Sequence, residues 1–597
     1  MIYLIDISRF LLFNFYMLHP TQRDRDTFSE SELFLSTRWH ELFDKNTPDS
    51  FHPKLFGVGH LVKELIDVAK LAQKQDPWKK HVELICEEIK ERINSDFFRK
   101  CVSSRHFYLL NEICNSKIPL KNIIDYSRIL LLEDLDYKIE VSLMDLWNNI
   151  DFSSELKRKE DANTVITQLA TYVFRKGNYI SKEDHENTFD GNIKNKVVDV
   201  INNKNDKYTI IVCVEISEYY KEHAIRNVCS PVGILSCSPK IKGLSGKNNV
   251  VFLKHEIEEQ NKFLAANIVK KKVKSQLNIL SLYKQLPAPK IADETWVLLG
   301  DRAEIIGEYQ EFFRNIHPRK NANALSIALA KSITNKNSLE DYSIRSALEL
   351  HNVALSLSDD RLRLVHLWSA LECLSSLEDC ESIFRRVESI VVPLLAWQKI
   401  DKNMTYLSIC LHEWMKENPS IKTNLHNVFL KNNVNPGYLL TCLTDVNECY
   451  TKELLDITNG HPLLKNRIFI SWKLLQDHSK LFHDLEQSKK HLIWHLMRIY
   501  RARNLLIHQG IEYDCLPQLA NHLQQYFSWV LTRIVHGYTL GPKWTARDSL
   551  RYWQHKASYL FLCLKGNNQN ELKVCDLFPK ELEGGERIVW NKNIVAN

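Results

Sequence analysis

The sequence predicts a mainly α-helical protein with a mixed α/β domain in its middle. Glycine and proline are scarce, at seventeen each in 597 residues, which disfavours a loop-rich or all-β design. Long segments near both ends repeat apolar residues every three or four positions, as amphipathic helices do. A stretch between them is rich in β-branched and apolar residues, which is typical of buried strands. At this length we expect two to four domains, each large enough to bury a core.

Residues 1–175 are predicted to form a helical N-terminal region. The helical repeat is clearest in Leu61–Ala72 and His81–Ile93. No residue grouping in this region is typical of catalysis. Residues 176–206 are rich in lysine, asparagine and aspartate, so we expect an exposed linker or loop before the next domain.

Residues 207–320 are predicted to form the small mixed α/β domain. The expected strands are Tyr208–Ile216, Val232–Cys237, Asn249–Leu253 and Thr295–Leu299. The densest basic run of the chain, Lys270–Lys274, lies between the last two of them. We interpret this run as a solvated helix face, with an RNA contact as the less favoured alternative.

Residues 321–540 return to a helical pattern and are predicted to form a helical bundle. One of its helices carries Trp368, and Asp359 and Asp360 are placed to cap the start of that helix with negative charge. The remaining residues, 541–597, are rich in aromatic side chains. We expect this C-terminal extension to pack onto the body of the protein.

Arg503, Asn504 and His508 lie where a predicted helix of the bundle ends. Gly510 follows them and supplies the left-handed residue with which many helices stop. Asn504 and His508 share a helix face because they are four residues apart. Arg503 and His508 are five apart, so they converge only if the helix loosens or if a ligand lies across it. The buried face of the same helix is marked by Ile493, Leu496, Met497 and Tyr500.

These three side chains suit phosphodiester chemistry. The Arg503 guanidinium stays protonated, and its planar fork matches two phosphate oxygens. Histidine is the residue type whose unperturbed side chain exchanges protons near neutral pH, so His508 can transfer protons. Asn504 can orient Arg503 or His508 by hydrogen bonding. On spacing alone, a solvated helix end is the commoner explanation for an arginine and a histidine five residues apart.

The pattern Tyr500-x-x-Arg503-Asn504-x-x-x-His508-x-Gly510, after an amphipathic helix, resembles the motif of the HEPN superfamily. The closest likeness is to its ApeA-like branch. The resemblance implies that the bundle is HEPN-like.

Two earlier segments are also similar to helices of that branch. One is Arg361–Leu374, an apolar run that ends in Ala-Leu-Glu-x-Leu, and the other is Ile383–Leu395. With the motif, they extend the resemblance over residues 339–537.

Glu372 lies at the end of the first of these segments. In the family the equivalent glutamate faces the motif helix, so we expect Glu372 to pair with Arg503 or Arg501, since a buried carboxylate needs a partner. In the simpler alternative, Glu372 is an edge residue that is half exposed.

The resemblance implies a metal-independent endoribonuclease that needs no cofactor. The RNA 2′-hydroxyl would attack the adjacent phosphate and leave a cyclic phosphate and a free 5′-hydroxyl. His508 would move protons, Arg503 would stabilise the charge that builds on the phosphate, and Asn504 would orient the group. The alternatives are a non-catalytic HEPN module that binds RNA or a protein, or an unrecognised activity in the middle domain.

The resemblance also implies partners. HEPN nucleases pair two motifs across a dimer interface, so we expect a homodimer. The family further implies anti-phage defence by abortive infection, in which the nuclease cuts host RNA such as tRNA. Residues 1–320 would then be a sensor or a brake that answers to a phage-derived trigger. The basic group best placed along the sequence to steer the RNA backbone is Arg314, His317, Arg319 and Lys320.

Composition indicates which partners and which cellular compartment to expect. A net charge of +6 permits RNA binding but does not argue for it, because nucleic-acid binders are recognised by clustered charge. Fourteen cysteines without a Cys-x-x-Cys pair are typical of a large, reduced intracellular protein. No apolar run approaches a membrane span, so we expect a cytoplasmic protein with no membrane partner.

Two groups have some likeness to metal sites. His491 and His495 are four apart on a helix, the spacing of a shared zinc, but the glutamate after the first histidine and a third ligand are missing. Cys442, Cys449 and His461 match the spacing of no known zinc finger. We therefore expect no metal at either group.

Overall fold

The structure, a computed structural model, is mostly helical with a small antiparallel sheet in the middle of the chain. It describes residues 19–20, 25–26, 29–43, 57–94, 96–115, 118–148, 156–175, 206–216, 219–236, 250–259, 262–284, 288–299, 302–306, 339–357, 359–378, 382–419, 421, 425, 436–444, 449–510, 515–540, 544–566 and 577. The chain divides into two compact units, one made of Met1–Ala170 with Ile316–Asn597 and the other of Thr171–Asn315.

The described N-terminal residues are helical, and the two predicted helical segments are confirmed. The first helix of the pair follows Gly57, and the second follows a short 3₁₀ turn at Asp76–Trp78. Further along, Ser103 caps a helix by accepting a hydrogen bond from the His106 N–H. The helices are α1 Glu30–Phe43, α2 Val58–Ala72, α3 Lys79–Ile93, α4 Asp96–Cys101, α5 Ser104–Ile113, α6 Leu120–Leu132, α7 Leu135–Asn148 and α8 Leu156–Arg175.

In its described residues, the middle unit contains a five-stranded antiparallel sheet of order β2-β3-β1-β4-β5 and the helices named below. Its elements are β1 Asp206–Glu215, α9 Glu222–Cys229, β2 Leu235–Ser236, β3 Val250–Glu259, α10 Lys262–Lys284, β4 Ile291–Leu299 and β5 Arg302–Ile306. Alternate residues of central strand β1 enter two separate clusters of buried side chains, with Ile210 in one and Ile211 in the other. Such burial explains the continuous apolar run by which β1 was predicted.

Two details of the sheet differ from the sequence prediction. The strand expected at Val232–Cys237 begins only at Leu235 of β2, because Gly233 adopts a left-handed conformation (φ 76°) after a 3₁₀ turn; Cys237 lies outside the described residues. Strand β5 was not predicted. Its Arg302 and Glu304 interrupt the apolar pattern, which is tolerated because β5, paired with β4, is the last strand of the sheet within the described ranges.

The C-terminal helices follow from residue 339, whereas residues 321–338 of the predicted bundle lie outside the described residues. Asp359 caps its helix by accepting from the Arg361 N–H, as predicted. The helices are α11 Leu339–Ser356, α12 Asp360–Ser375, α13 Ile383–Glu417, α14 Pro436–Thr444, α15 Cys449–Ile457, α16 Pro462–Gln476, α17 His478–Gln509, α18 Leu516–Leu540 and α19 Ala546–Lys565.

Helix α19 belongs to the predicted C-terminal extension and packs against α13, α17 and α18. Its Trp553 is fully buried and donates from the indole N–H to the Arg533 carbonyl at 3.0 Å. The Trp553 ring also stacks on His536.

The N-terminal helices and the C-terminal helices share one compact unit, although the sequence suggested two separate regions. Helices α2 and α3 pack on each other, and α3 also packs against α17. The motif helix thus lies against residues that precede it by about four hundred positions. Within the described ranges, no helix combines the length and the apolar character that crossing a membrane requires.

Candidate active site

The predicted motif occupies the last two turns of α17. The helix ends at Gln509, and Gly510 follows in the left-handed conformation (φ 63°), as predicted. Leu505 is buried and anchors this end to the core, whereas His508 is exposed. The side chain of Ile507, between them, is 45% exposed. The polar residues of the motif therefore stand at the boundary between core and solvent.

Arg503 and Asn504 form a hydrogen-bonded pair at this boundary. Both are half-buried, and Arg503 Nη1 donates to Asn504 Oδ1 at 3.0 Å. The Arg503 Nε–H is buried and has no acceptor in the described part of the chain. A buried N–H without an acceptor is costly, so an oxygen-rich anion at this place would be bound favourably.

Arg503 and His508 leave α17 on different sides. Residues five apart on an α-helix are rotated by about 140° about its axis. Because α17 stays helical through Gln509, it does not loosen in the way that would bring the two side chains together. A ligand that lies across the helix end is the remaining way for both to contact the same group.

Glu372 does not make the ion pair that we expected with Arg501 or Arg503. It is half-buried, as the simpler alternative held, and it accepts a hydrogen bond from the indole N–H of Trp368 at 2.6 Å. Arg501 is instead fully buried, and its Nε donates to Glu64 Oε1 of α2 at 2.8 Å. The expected partner was wrong because α2, distant in sequence, occupies the space beside Arg501.

Arg501 is part of a buried ionic cluster, the α17 seam, which we define as Glu64, Glu88, Arg498 and Arg501. Arg498 donates from Nε to Glu64 Oε2 at 3.2 Å and from Nη2 to Glu88 Oε2 at 2.6 Å. All four side chains are at most 2% exposed. Burial opposes ionisation of Glu88, but the Arg498 and Arg92 guanidinium groups hold the pKa of its carboxyl below the usual value.

An aromatic contact lies beside the seam. The His81 ring of α3 stacks on Tyr500 with 6.1 Å between centroids, and Tyr500 also packs against Trp368 and Phe384. Burial, followed by the charge of Arg501, lowers the pKa of His81 to about 3. His81 is therefore neutral near neutral pH and acts as a packing residue.

The two histidines with zinc-like spacing have different partners. His491 Nε2 lies 2.8 Å from Glu91 Oε1 on α3. His495 is buried, with its two ring nitrogens each 3.0 Å from a polar atom, one of His522 and one of Tyr526. Burial, the neighbouring His522 and Arg498 together hold the pKa of His495 well below its usual value. The two rings thus serve separate contacts.

The other candidate metal group, Cys442, Cys449 and His461, is divided between the core and the surface. Cys442 and His461 are buried, whereas Cys449 is exposed. His461 Nδ1 accepts from the Leu464 N–H and caps α16. Among the residues that the structure describes, no three histidine, cysteine, aspartate or glutamate side chains are grouped as metal ligands.

The basic groups suggested for RNA fall in two places. Arg314, His317, Arg319 and Lys320 all lie outside the described residues. The run Lys270–Lys274 lies on α10 of the middle unit, where Lys271 is exposed and Val273 is buried. Lys272 Nζ lies 3.0 Å from His255 Nε2, so this helix face is partly tied to the sheet.

Sequence reasoning missed Glu64 and Glu88. A signal was present, because Glu64 interrupts the apolar face formed by Leu61, Leu65 and Val68 in α2. A carboxylate on such a face must find a partner when it is buried. The identity of that partner is not readable from local sequence, since the arginines are more than four hundred residues away.

No protein-family model, no curated protein and no solved structure matches this chain. The residues of α17 and their surroundings therefore carry the functional proposal, together with the motif resemblance.

Proposed function

We propose that this chain is a metal-independent endoribonuclease of the HEPN type, with Arg503, Asn504 and His508 as its catalytic residues. The proposal rests mainly on the end of α17, where His508 is exposed in the last turn. Close by, Arg503 keeps a buried Nε–H that has no acceptor among the described residues. A proton-transfer group and a fixed cation with free hydrogen-bonding capacity are the two functions that RNA cleavage requires.

The reaction uses the RNA as its own nucleophile. His508 accepts the proton of the 2′-hydroxyl, whose oxygen forms a bond to the adjacent phosphorus while the bond to the 5′ oxygen breaks. The departing 5′ oxygen takes up a proton from water, and His508 later returns its own proton to water, so the products are a 2′,3′-cyclic phosphate and a 5′-hydroxyl. Arg503 stabilises the charge that develops on the phosphate oxygens, and Asn504 holds the guanidinium through the contact at 3.0 Å.

The active form is a homodimer joined through the bundle. Within one chain, Arg503 and His508 are rotated by about 140° from each other. A second copy across the helix end supplies the missing group to each site. The exposed apolar side chain of Ile507, between the two polar residues in sequence, suits burial in such an interface.

The biological role that fits this chemistry is anti-phage defence by abortive infection. The nuclease cuts host RNA, with tRNA as the leading target, after a phage-derived trigger acts on the sensor in residues 1–320. This part of the proposal is supported by the motif resemblance.

The deciding experiment is RNA cleavage in EDTA. We expect the purified parent protein to cut tRNA or total cellular RNA, and His508→Ala to be slower by at least about 100-fold because the proton-transfer group is lost. Gln509→Ala, a change at the adjacent exposed residue, is the matched control and should cut like the parent. Cyclic-phosphate ends on the products identify the reaction.

Two other outcomes contradict the proposal. Equal cleavage by the parent and His508→Ala means that another site or a contaminating enzyme acts. No cleavage by the parent, with no toxicity of the parent over His508→Ala in cells, rejects the nuclease.

A non-catalytic HEPN module is the second candidate function. It is favoured by the rotation between Arg503 and His508, because a chain that acts alone would not place both side chains on one phosphate. In that case the parent protein binds RNA or a protein partner without cutting RNA, and a gel-shift titration with tRNA shows the same affinity for the parent and His508→Ala.

A further inference from the structure

The α17 seam joins one carboxylate to two successive turns of the motif helix. Glu64 Oε2 accepts from Arg498 at 3.2 Å, and Glu64 Oε1 accepts from Arg501 at 2.8 Å. The two arginines are three residues apart and therefore project from neighbouring turns. Two contacts along the axis restrain both the rotation of α17 and its shift along its length.

The restrained side of α17 is also the side that carries His508. Arg501 and His508 are seven residues apart, so they are rotated by only about 20° about the helix axis. Asn504 lies three residues beyond Arg501 on the same side, whereas Arg503 projects from the other side. Any rotation of α17 at Arg501 is therefore passed directly to His508 two turns later.

Residues of α3 and α17 outside the seam add further contacts between these two helices. Glu88 of α3 accepts from Arg498 at 2.6 Å and from Arg92 at 2.9 Å. About two helix turns before Arg498, Lys490 and His491 of α17 contact Glu91 of α3, both at 2.8 Å. The N-terminal helices thus contact α17 over several turns, from Lys490 to Arg501, two residues before the motif begins.

We infer that Glu64 is a positioning residue, which sets the rotation of the α17 end and thereby the place of His508 in the active site. The inference rests on the proposed function for its catalytic meaning. It assigns to the N-terminal helices a direct part in the nuclease site, because the carboxylate that orients the motif comes from α2.

A purely structural role for Glu64 is the competing explanation, and the chain offers a matched control. Glu41 of α1 is equally buried and contacts Arg38 of its own helix and Arg467 of α16, the latter at 2.7 Å. Like Glu64, Glu41 contacts two arginines, and through one of them, Arg467, it joins an N-terminal helix to a C-terminal helix. Glu41 is not part of the α17 seam, so Glu41→Gln tests loss of a buried carboxylate while the seam's four side chains stay in place.

The experiment compares Glu64→Gln with Glu41→Gln in the full-length protein by two readouts. We expect Glu64→Gln to lower kcat for tRNA cleavage by about 10- to 100-fold with little change in KM, since misplacement of a reacting group affects the chemical step. In hydrogen–deuterium exchange, amides 499–509 should exchange faster in Glu64→Gln. Glu41→Gln should change neither readout at α17.

The conservative variant Glu64→Asp keeps the charge and should recover part of kcat, and it replaces Glu64→Gln if that protein does not fold. Equal effects of the Glu64 and Glu41 variants on kcat, or unchanged exchange at 499–509 in the Glu64 variants, overturn the inference. If no protein cleaves RNA but exchange at 499–509 still separates the Glu64 variants from Glu41→Gln, the nuclease proposal fails while the anchoring of α17 stands.

Discussion

Arginines in two neighbouring stretches of α17 differ in burial and in their hydrogen-bond partners. Arg498 and Arg501 are buried and share the carboxylates of the α17 seam. Arg503, only two positions later, is half-buried, and its guanidinium donates to the neutral amide of Asn504. The residue type is the same, so the difference comes from the direction in which each side chain leaves the helix.

Pairing with carboxylates distinguishes the structural arginines of α17 from the candidate catalytic one. A buried cation is tolerated when carboxylates compensate its lost hydration, and it then holds helices together. A cation at the core boundary that is not compensated by a carboxylate is available for an incoming phosphate. On this criterion Arg501 belongs to the scaffold, although the sequence placed it among the supporting residues of the site.

The difference between the structural and the candidate catalytic arginines should be clearest in the free energy of unfolding. Arg498→Met leaves Glu64 and Glu88 with less compensation, and we expect it to lower the free energy of unfolding by about 3–5 kcal/mol. Arg503→Met removes no carboxylate pair, so it should change stability by about 0.5 kcal/mol or less while reducing cleavage. Chemical denaturation of both proteins measures the difference. Equal destabilisation would show that the two arginines are not different in kind.

A second test uses pH to examine the packing beside the seam. The pKa of His81 is lowered to about 3, below the ordinary value near 6.5. Between these values the unfolded chain binds the proton and the folded chain does not, so stability falls as the pH is lowered through this window, by up to about 1.4 kcal/mol per pH unit. His81→Phe keeps a ring against Tyr500 and should reduce that slope.

The control for the pH test is Gln509→Phe, which adds a ring at an exposed, non-titrating residue of the same unit. Its unfolding free energy should keep the parent's dependence on pH. If His81→Phe also keeps that dependence, the buried neutral state assigned to His81 is wrong.

The smallest expected effect concerns the end of α17. Gly510 has a φ of 63°, and a Cβ built at this position would contact nothing within 4 Å. Gly510→Ala should therefore cost only the backbone strain of a left-handed residue, about 1 kcal/mol. Thermal unfolding measures it. A much larger loss would mean that the helix end is packed more tightly than the motif requires.

Local features of this fold were readable from the sequence because neighbouring residues produce them. The repeat in Leu61–Ala72 predicted α2, Asp359 predicted a helix start, and Gly510 predicted a helix end. Each depends on hydrogen bonds or apolar spacing within one or two turns. The same reasoning missed β5, whose charged residues are tolerated at a sheet edge.

The local sequence of α17 therefore specifies where this helix ends and which polar side chains stand at that end. The tertiary fold sets how these side chains are supported. It placed Glu64 beside Arg501 across a separation of 437 residues, and it left Glu372 with Trp368 instead. The physical reason is that the pairing of buried charges is set by which helices pack together, and the local pattern around a charge does not contain that information.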